Sequence, residues 1–158
     1  MYKIGVIGRG FVGSAVSHGF SDAVGYKAEL RVYDKDPLRS DHSLEEVISL
    51  SDVIFISVPT PSNKDGSISL SILDQCLNEI NETASKISSF NAIFLIRSTI
   101  IPGTTRAYQE KYPNLKLVFN PEFLTERSAN FDFISQTRFV LGGEINNIKE
   151  VAGLYRDR

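Results

Sequence analysis

The sequence contains one cysteine, one methionine, two histidines and no tryptophan. A lone cysteine, Cys76, excludes an internal disulfide framework and fits a reducing, cytoplasmic setting. His18 and His42 lack partners at metal-ligand spacing, so no metal is expected. No apolar run approaches the ~20 residues that span a bilayer, so no membrane partner is expected. The net charge of −2 gives no electrostatic reason to expect nucleic acid or an anionic surface. The apolar start is too brief for a secretory signal and runs directly into glycines, so it reads as a native start with an immediate strand.

What is present is an ordinary globular balance, 42% hydrophobic and 23% charged over 158 residues. That length suits one domain spanning residues 1–158, large enough to bury a core without staples. Short, β-branched apolar runs predict strands at 3–7, 30–33, 53–58, 92–96, 115–119 and 139–141. Such near-continuous apolar strands suit a sheet covered on both faces. Two helical rows, Phe11/Ala15/Gly19 and Val12/Val16/Phe20, follow the first strand. Ser43 and Glu46 have capping-box spacing and open a short helix to about Leu50. Leu70, Leu73, Leu77 and Ile80 form one stripe of a longer helix, with Ile72 and Cys76 beside it. Gly103 and Thr104 open a helix to Lys111, stopped by Pro113, and residues 147–155 form a last helix. Alternating β and α elements predict an α/β, doubly wound parallel sheet with right-handed crossovers.

The chemistry begins at Gly8-Arg9-Gly10-Phe11-Val12-Gly13, between a predicted strand and a predicted helix. Gly8 permits a tight turn, Gly10 removes a side chain where a pyrophosphate approaches, and Gly13 lets helix and strand pack closely. The free N–H groups and positive end of the helix dipole then face the phosphates. Asp34 ends the second strand about 20 residues after Gly13, the place of the ribose-binding acid in a Rossmann dinucleotide fold. A carboxylate there accepts from ribose hydroxyls and repels the extra phosphate of NADP, so NAD is the expected cofactor. Lys35 and Arg39 lie nearby, and a cation could offset that repulsion.

Three further strings fall at carboxyl ends of predicted strands, where open α/β sheets bind ligands. They are Ser57-Val58-Pro59-Thr60-Pro61, then Arg97-Ser98-Thr99-Ile100-Ile101-Pro102-Gly103-Thr104-Thr105, then Asn120-Pro121-Glu122-Phe123-Leu124-Thr125-Glu126. Taken singly they have plain readings: Pro59 and Pro61 could end a strand, Ser98 and Thr99 could cap the next element, and Glu122 and Glu126 could be solvated loop carboxylates. In this order they resemble the N-terminal NAD-binding domain of the UDP-glucose/GDP-mannose dehydrogenase family over nearly the whole chain.

The resemblance implies roles. Residues 58–62 would pass along the cofactor, with Thr60 near the nicotinamide half. Ser98 and Thr99 would line the reacting centre, Thr99 helping to hold a water. Glu122 would assist proton transfer or water activation. Phe123, Leu124, Thr125 and Glu126 would approach the sugar nucleotide, with Glu126 also near the nicotinamide. Arg39 matches a position at the adenosine end. The implied reaction oxidises a sugar C6 alcohol to a carboxylate with two NAD, by way of a cysteine thioester. The family's catalytic cysteine, its central helical domain and its C-terminal sugar-nucleotide domain have no counterpart here. Cys76, on the apolar side of a helix away from the strings, reads as a core residue.

The chain is therefore expected to be a piece of something longer, unable to complete catalysis alone. The partners to expect are NAD, a UDP-sugar and either a homo-oligomer or a complementing chain, the last of which could supply the remainder. The sequence also departs from the family: Arg127 replaces a usual glycine, Arg97 replaces a common lysine, and the stretch from Asp34 to Ser51 is short. A stand-alone NAD-binding module is the competing reading. A β-hydroxyacid type of Rossmann dehydrogenase is a third, disfavoured by the string at 120–126.

Overall fold

Six strands form one sheet in the order β2-β1-β3-β4-β5-β6. The computed structural model describes residues 1–157; Arg158, the end of the expected domain, lies outside the described residues. The strands are β1 (Lys3–Ile7), β2 (Glu29–Tyr33), β3 (Val53–Ile56), β4 (Ile93–Ile96), β5 (Lys116–Phe119) and β6 (Gly142–Gly143). The first five run parallel, in the registers Ile4↔Val53 and Ile54↔Phe94 among others. The helices are α1 (Phe11–Gly19), α2 (Leu44–Leu50), α3 (Ser71–Ala84), α4 (Thr104–Lys111), α5 (Ala129–Ser135) and α6 (Ile145–Arg156).

Alternation along the central strands builds two cores. Ile54, Ile56, Phe94 and Ile96 face one side, where Leu73, Leu77 and Ile80 of α3 cover them. Val53, Phe55, Ile93 and Leu95 face the other, under Ala15 and Val16 of α1 and Val151 and Leu154 of α6. All four residues of β3 and of β4 are buried, so these strands carry no polar alternation. Local chemistry sets the helix ends. Ser43 Oγ accepts from Glu46 N at 3.2 Å, and Glu46 Oε2 accepts from Ser43 N at 2.7 Å, completing the expected capping box of α2.

Apart from shifts of one or two residues at element ends, the structure departs from the expected elements as follows. The last strand is not 139–141 but Gly142–Gly143, and it pairs antiparallel with β5. Asn120, just past the carboxyl end of β5, donates from Nδ2 to the Val140 carbonyl at 3.0 Å, so the chain enters β6 from that end and runs back down. Phe139 is drawn off the ladder by stacking on Tyr155, with ring centroids 3.9 Å apart. An unexpected helix, α5, packs Phe133 against Phe20 at the end of α1, with ring centroids 5.8 Å apart. The third strand stops at Ile56, and Ser57 and Val58 follow as irregular chain.

The strand order reverses between β1 and β3: the chain leaves β1 toward β2 on one side and returns to β3 on the other. Ligands of open α/β sheets bind outside the carboxyl ends at such a switch point.

Candidate functional site

At that switch point the loops after β1, β2, β3, β4 and β5 surround a cavity of about 590 Å³. Of the expected cofactor residues, Gly8, Gly10, Phe11, Val12, Asp34, Lys35, Arg39, Val58, Pro59, Thr60, Ser98 and Thr99 line it, and so does Glu122. Arg9, Gly13 and Pro61 lie outside the lining, as do Phe123, Leu124, Thr125 and Glu126.

The three glycines differ in what a side chain would meet. Gly8 has φ +91°, and a Cβ there would stand 2.8 Å from the Ser57 carbonyl oxygen. A Cβ at Gly13 would stand 1.9 Å from the Gly8 carbonyl oxygen, so helix and loop touch backbone to backbone. Gly10 has nothing within 4 Å of a Cβ and faces open space at the N-terminus of α1. No side chain caps α1 and no acidic residue stands in its first turn, so its first N–H groups keep their positive end free. That emptiness fits a pyrophosphate, which needs close approach to backbone N–H groups.

Asp34 is fixed beside this loop. Its Oδ2 accepts from Arg9 N at 2.6 Å and its Oδ1 from Asp36 N at 2.9 Å. A carboxylate offers about four acceptor positions, so about two remain beyond these backbone bonds. The far end of the cavity is tied together by side chains of the later strings. Thr60 Oγ1 donates to the Thr99 carbonyl at 2.8 Å, and Ser98 Oγ donates to the Val58 carbonyl at 2.6 Å. Glu122 Oε2 accepts from Leu124 N at 2.6 Å, which aims the carboxylate while leaving Oε1 available. Thr125 N donates to Asp132 Oδ2 at 2.8 Å, and Ser128 Oγ donates to it at 2.9 Å, so α5 anchors the loop that carries Glu126. These two bonds hold the Asp132 carboxyl below its ordinary value. Glu126 itself opens a short 3-10 turn, Glu126–Ser128, and is exposed.

Two lining residues, Arg97 and Glu79, carry no site role in the sequence reading. Arg97 is 1% exposed, a guanidinium inside the domain. Its Nη1 donates to Asn120 Oδ1 at 2.8 Å, Tyr155 Oη donates to the same oxygen at 2.5 Å, and its Nε and Nη2 have no hydrogen-bond partner. Burial lowers its pKa from the ordinary value, while Tyr155 and Glu122 act the other way. Glu79 lies on α3, and its Oε1 is 3.2 Å from Lys35 Nζ. Only folding brings these two together, so no local motif marks Glu79.

Cys76 belongs to the core between α3 and the sheet, as expected, yet it also lines the cavity. Its expected distance from the motif strings is therefore corrected: α3 brings Cys76 to the wall on the side lined by Asp34, Lys35 and Glu79. Burial, with Glu79 adding to it, pushes that thiol up to about 12. His42 serves the fold, its Nδ1 accepting from Val32 N at 3.3 Å.

Comparisons with known proteins agree with this geometry. The family model described as the UDP-glucose/GDP-mannose dehydrogenase family, NAD binding domain, matches residues 27–157. A UDP-glucose 6-dehydrogenase of Haloferax volcanii is 30% identical over 128 residues, covering 75% of this chain and 29% of that protein. An uncharacterized protein of Methanocaldococcus jannaschii is 41% identical over 104 residues, covering 64% of this chain and 11% of its own. The solved UDP-glucose dehydrogenase of the archaeon Pyrobaculum islandicum superimposes with a TM-score of 0.80 at 25% identity, covering 99% of this chain and 44% of that one. The chain thus spans less than half the length of these relatives. No helix among the described residues is long and apolar enough to cross a membrane. With the family matched across 27–157 and the glycine loop and Asp34 on one cavity, the chain belongs to the UDP-glucose/GDP-mannose dehydrogenase family and is its NAD-binding domain.

Proposed function

We propose that the switch-point cavity is the NAD site of a nucleotide-sugar dehydrogenase that oxidises the C6 alcohol of a UDP-sugar to a carboxylate. The observation that carries the reading is the pairing of an open Gly10 backbone at the uncapped N-terminus of α1 with the oriented Asp34 carboxylate. Gly8 to Gly13 would hold the pyrophosphate, and Asp34 the adenosine ribose. Lys35 and Arg39 would flank the adenosine end, with Val58, Pro59, Thr60 and Pro61 running along the cofactor and Ser98 and Thr99 at its nicotinamide end. NAD, when bound, supplies the hydride acceptor, two equivalents for each alcohol taken to a carboxylate.

The chain's own residues would manage the proton and the water. Thr99 is exposed at the cavity mouth, where its hydroxyl can hold a water. Glu122 has one carboxylate oxygen tied to backbone and the other free to take a proton from a sugar hydroxyl or from that water. Phe123, Leu124, Thr125 and Glu126 would meet the sugar nucleotide beyond the cavity. Phe123 is 65% exposed there, an apolar surface for a partner outside this domain.

Covalent capture of an aldehyde needs a thiolate, and Cys76 does not supply one: it is 8% exposed and its thiol is pushed up to about 12. The nucleophile would come from further domains of the same polypeptide or from a complementing chain. The test is to incubate this chain with NAD and UDP-glucose. The expected result is dinucleotide binding without NADH. Robust NADH from the chain alone would refute the division of labour, and a failure to bind NAD would refute the site.

The same state of Cys76 favours a second reading, a module that holds NAD without taking part in sugar oxidation. Replacing the corresponding segment of a UDP-glucose dehydrogenase relative with this domain separates the two. Recovered NADH production supports the dehydrogenase; NAD binding without turnover supports the module.

A further inference from the structure

We propose that Asp36, Asp41 and Glu79 select NAD against NADP by engaging the three cations that surround Asp34. The inference rests on the reading of this cavity as the cofactor site. Lys35 and Arg39 line the cavity beside Asp34, and unpaired they would be ready partners for a phosphate on the ribose 2′ position. Neither is unpaired. Lys35 Nζ lies 3.2 Å from Glu79 Oε1, and Arg39 Nε lies 3.5 Å from Asp36 Oδ2. The third cation, Arg9, directs Nη1 to Asp41 Oδ2 at 2.7 Å and to the Arg39 carbonyl at 3.3 Å. With Asp34 included, four carboxylates stand against three cations in this group.

The carboxylates come from different parts of the chain. Asp36 and Asp41 follow β2, while Glu79 reaches in from α3. An unmodified ribose hydroxyl donates to Asp34 and leaves every ion pair in place. A 2′-phosphate brings close to two negative charges and three acceptor oxygens. To be bound it must take a cation from its carboxylate, and the displaced carboxylate then remains beside the phosphate. The pairs are exposed and individually weak. Selection therefore comes from the charge balance of the cluster. At about 5 Å in a water-like dielectric, each carboxylate costs a doubly charged phosphate roughly tenfold in affinity, less as salt is raised.

Calorimetric titration of NAD and of NADP into the wild-type chain and into D36N/D41N/E79Q at low ionic strength tests this. The quantity read is the ratio of the two dissociation constants. The wild type is expected to prefer NAD by at least about 100-fold, and the triple variant to narrow that ratio at least tenfold. E79Q alone, which changes only the α3 partner, is expected to narrow it in the same direction and keeps the test decisive if the triple variant does not fold. An unchanged ratio in E79Q or the triple variant, with NAD still bound, overturns the inference and leaves the site standing. So does a wild type that binds both dinucleotides equally. A wild type that binds neither overturns the site and this inference together.

Discussion

Gly10 and Gly13 are three residues apart in one motif, yet the structure gives them separable duties, and two alanine substitutions distinguish them. Gly13→Ala places a Cβ 1.9 Å from the Gly8 carbonyl oxygen, a contact that no rotamer relieves because both partners are backbone. The first turn of α1 and the loop after β1 must separate by more than an ångström. They are pinned by Gly8 N donating to the Tyr33 carbonyl at 2.9 Å and Ser14 N to the Gly10 carbonyl at 2.9 Å. Overpacking of this kind costs about 1–3 kcal/mol when side chains can yield. Here the expected loss is at the top of that range, about 3 kcal/mol, which for a chain of this size lowers Tm by roughly 6–12 °C.

Gly10→Ala adds the same atom where nothing lies within 4 Å, at an ordinary φ of −77°. Alanine is a poorer N-cap than glycine, but it restrains the unfolded chain, and the two effects offset to within about 1 kcal/mol. Its methyl group stands where a pyrophosphate would meet the backbone. Loss of one charge-assisted hydrogen bond, worth about 1.5–3 kcal/mol, weakens NAD roughly 10- to 150-fold. Thermal melting and calorimetry on both variants decide the matter. Equal destabilisation by the two substitutions would refute the packing argument. Undiminished NAD affinity in a folded Gly10→Ala would refute the pyrophosphate assignment.

Other expectations concern stability and reactivity. Ser43→Ala removes the acceptor of the Glu46 N–H and should cost about 1 kcal/mol in urea denaturation, with binding of NAD unaffected. Cys76, its thiol raised to about 12 by burial, should resist a thiol reagent at pH 8 in the native chain and react promptly once the chain is unfolded. The Asp132 carboxyl is lowered by the Thr125 N–H and the Ser128 hydroxyl. Its contribution is therefore present above the ordinary carboxylate value of about 3.9 and lost as pH falls through the lower folded value. The stability gap between wild type and Asp132→Asn should close over that acidic range, and a gap independent of pH would count against the two hydrogen bonds.

Local signals were legible in the sequence wherever one segment decides its own structure. The capping box of α2, the glycine loop before α1 and the apolar runs of β3 and β4 each carry their cause within a few residues. The elements that misled are those settled by distant partners. Phe139, Val140 and Leu141 have strand-like composition, but Phe139 stacks on Tyr155 and Asn120 holds the Val140 carbonyl. Pairing with β5 passes instead to Gly142 and Gly143, whose lack of side chains leaves no hydrophobic pattern to read. Residues 129–135 combine poor helix formers with an alternating Phe131/Phe133 pair, and the packing of Phe133 on Phe20 makes them α5. The site divides in the same way. Gly8, Gly10, Asp34, Thr60, Thr99 and Glu122 announce themselves through spacing and string context. Glu79 becomes part of the wall only because α3 packs on the sheet and meets Lys35, and Arg97, although next to Ser98 in the chain, is buried only because β5 lies beside β4 and brings Asn120 to it.

On the proposed reading, the cavity holds NAD through Asp34 as well as through the glycine loop. A calorimetric titration of NAD into the wild-type chain, repeated with Asp34→Ala, tests it most directly. One binding site is expected in the wild type, and at least about tenfold weaker binding in a variant that still folds, since two hydrogen bonds to a charged acceptor are lost. No binding by the wild type, or equal affinity in Asp34→Ala, would contradict it.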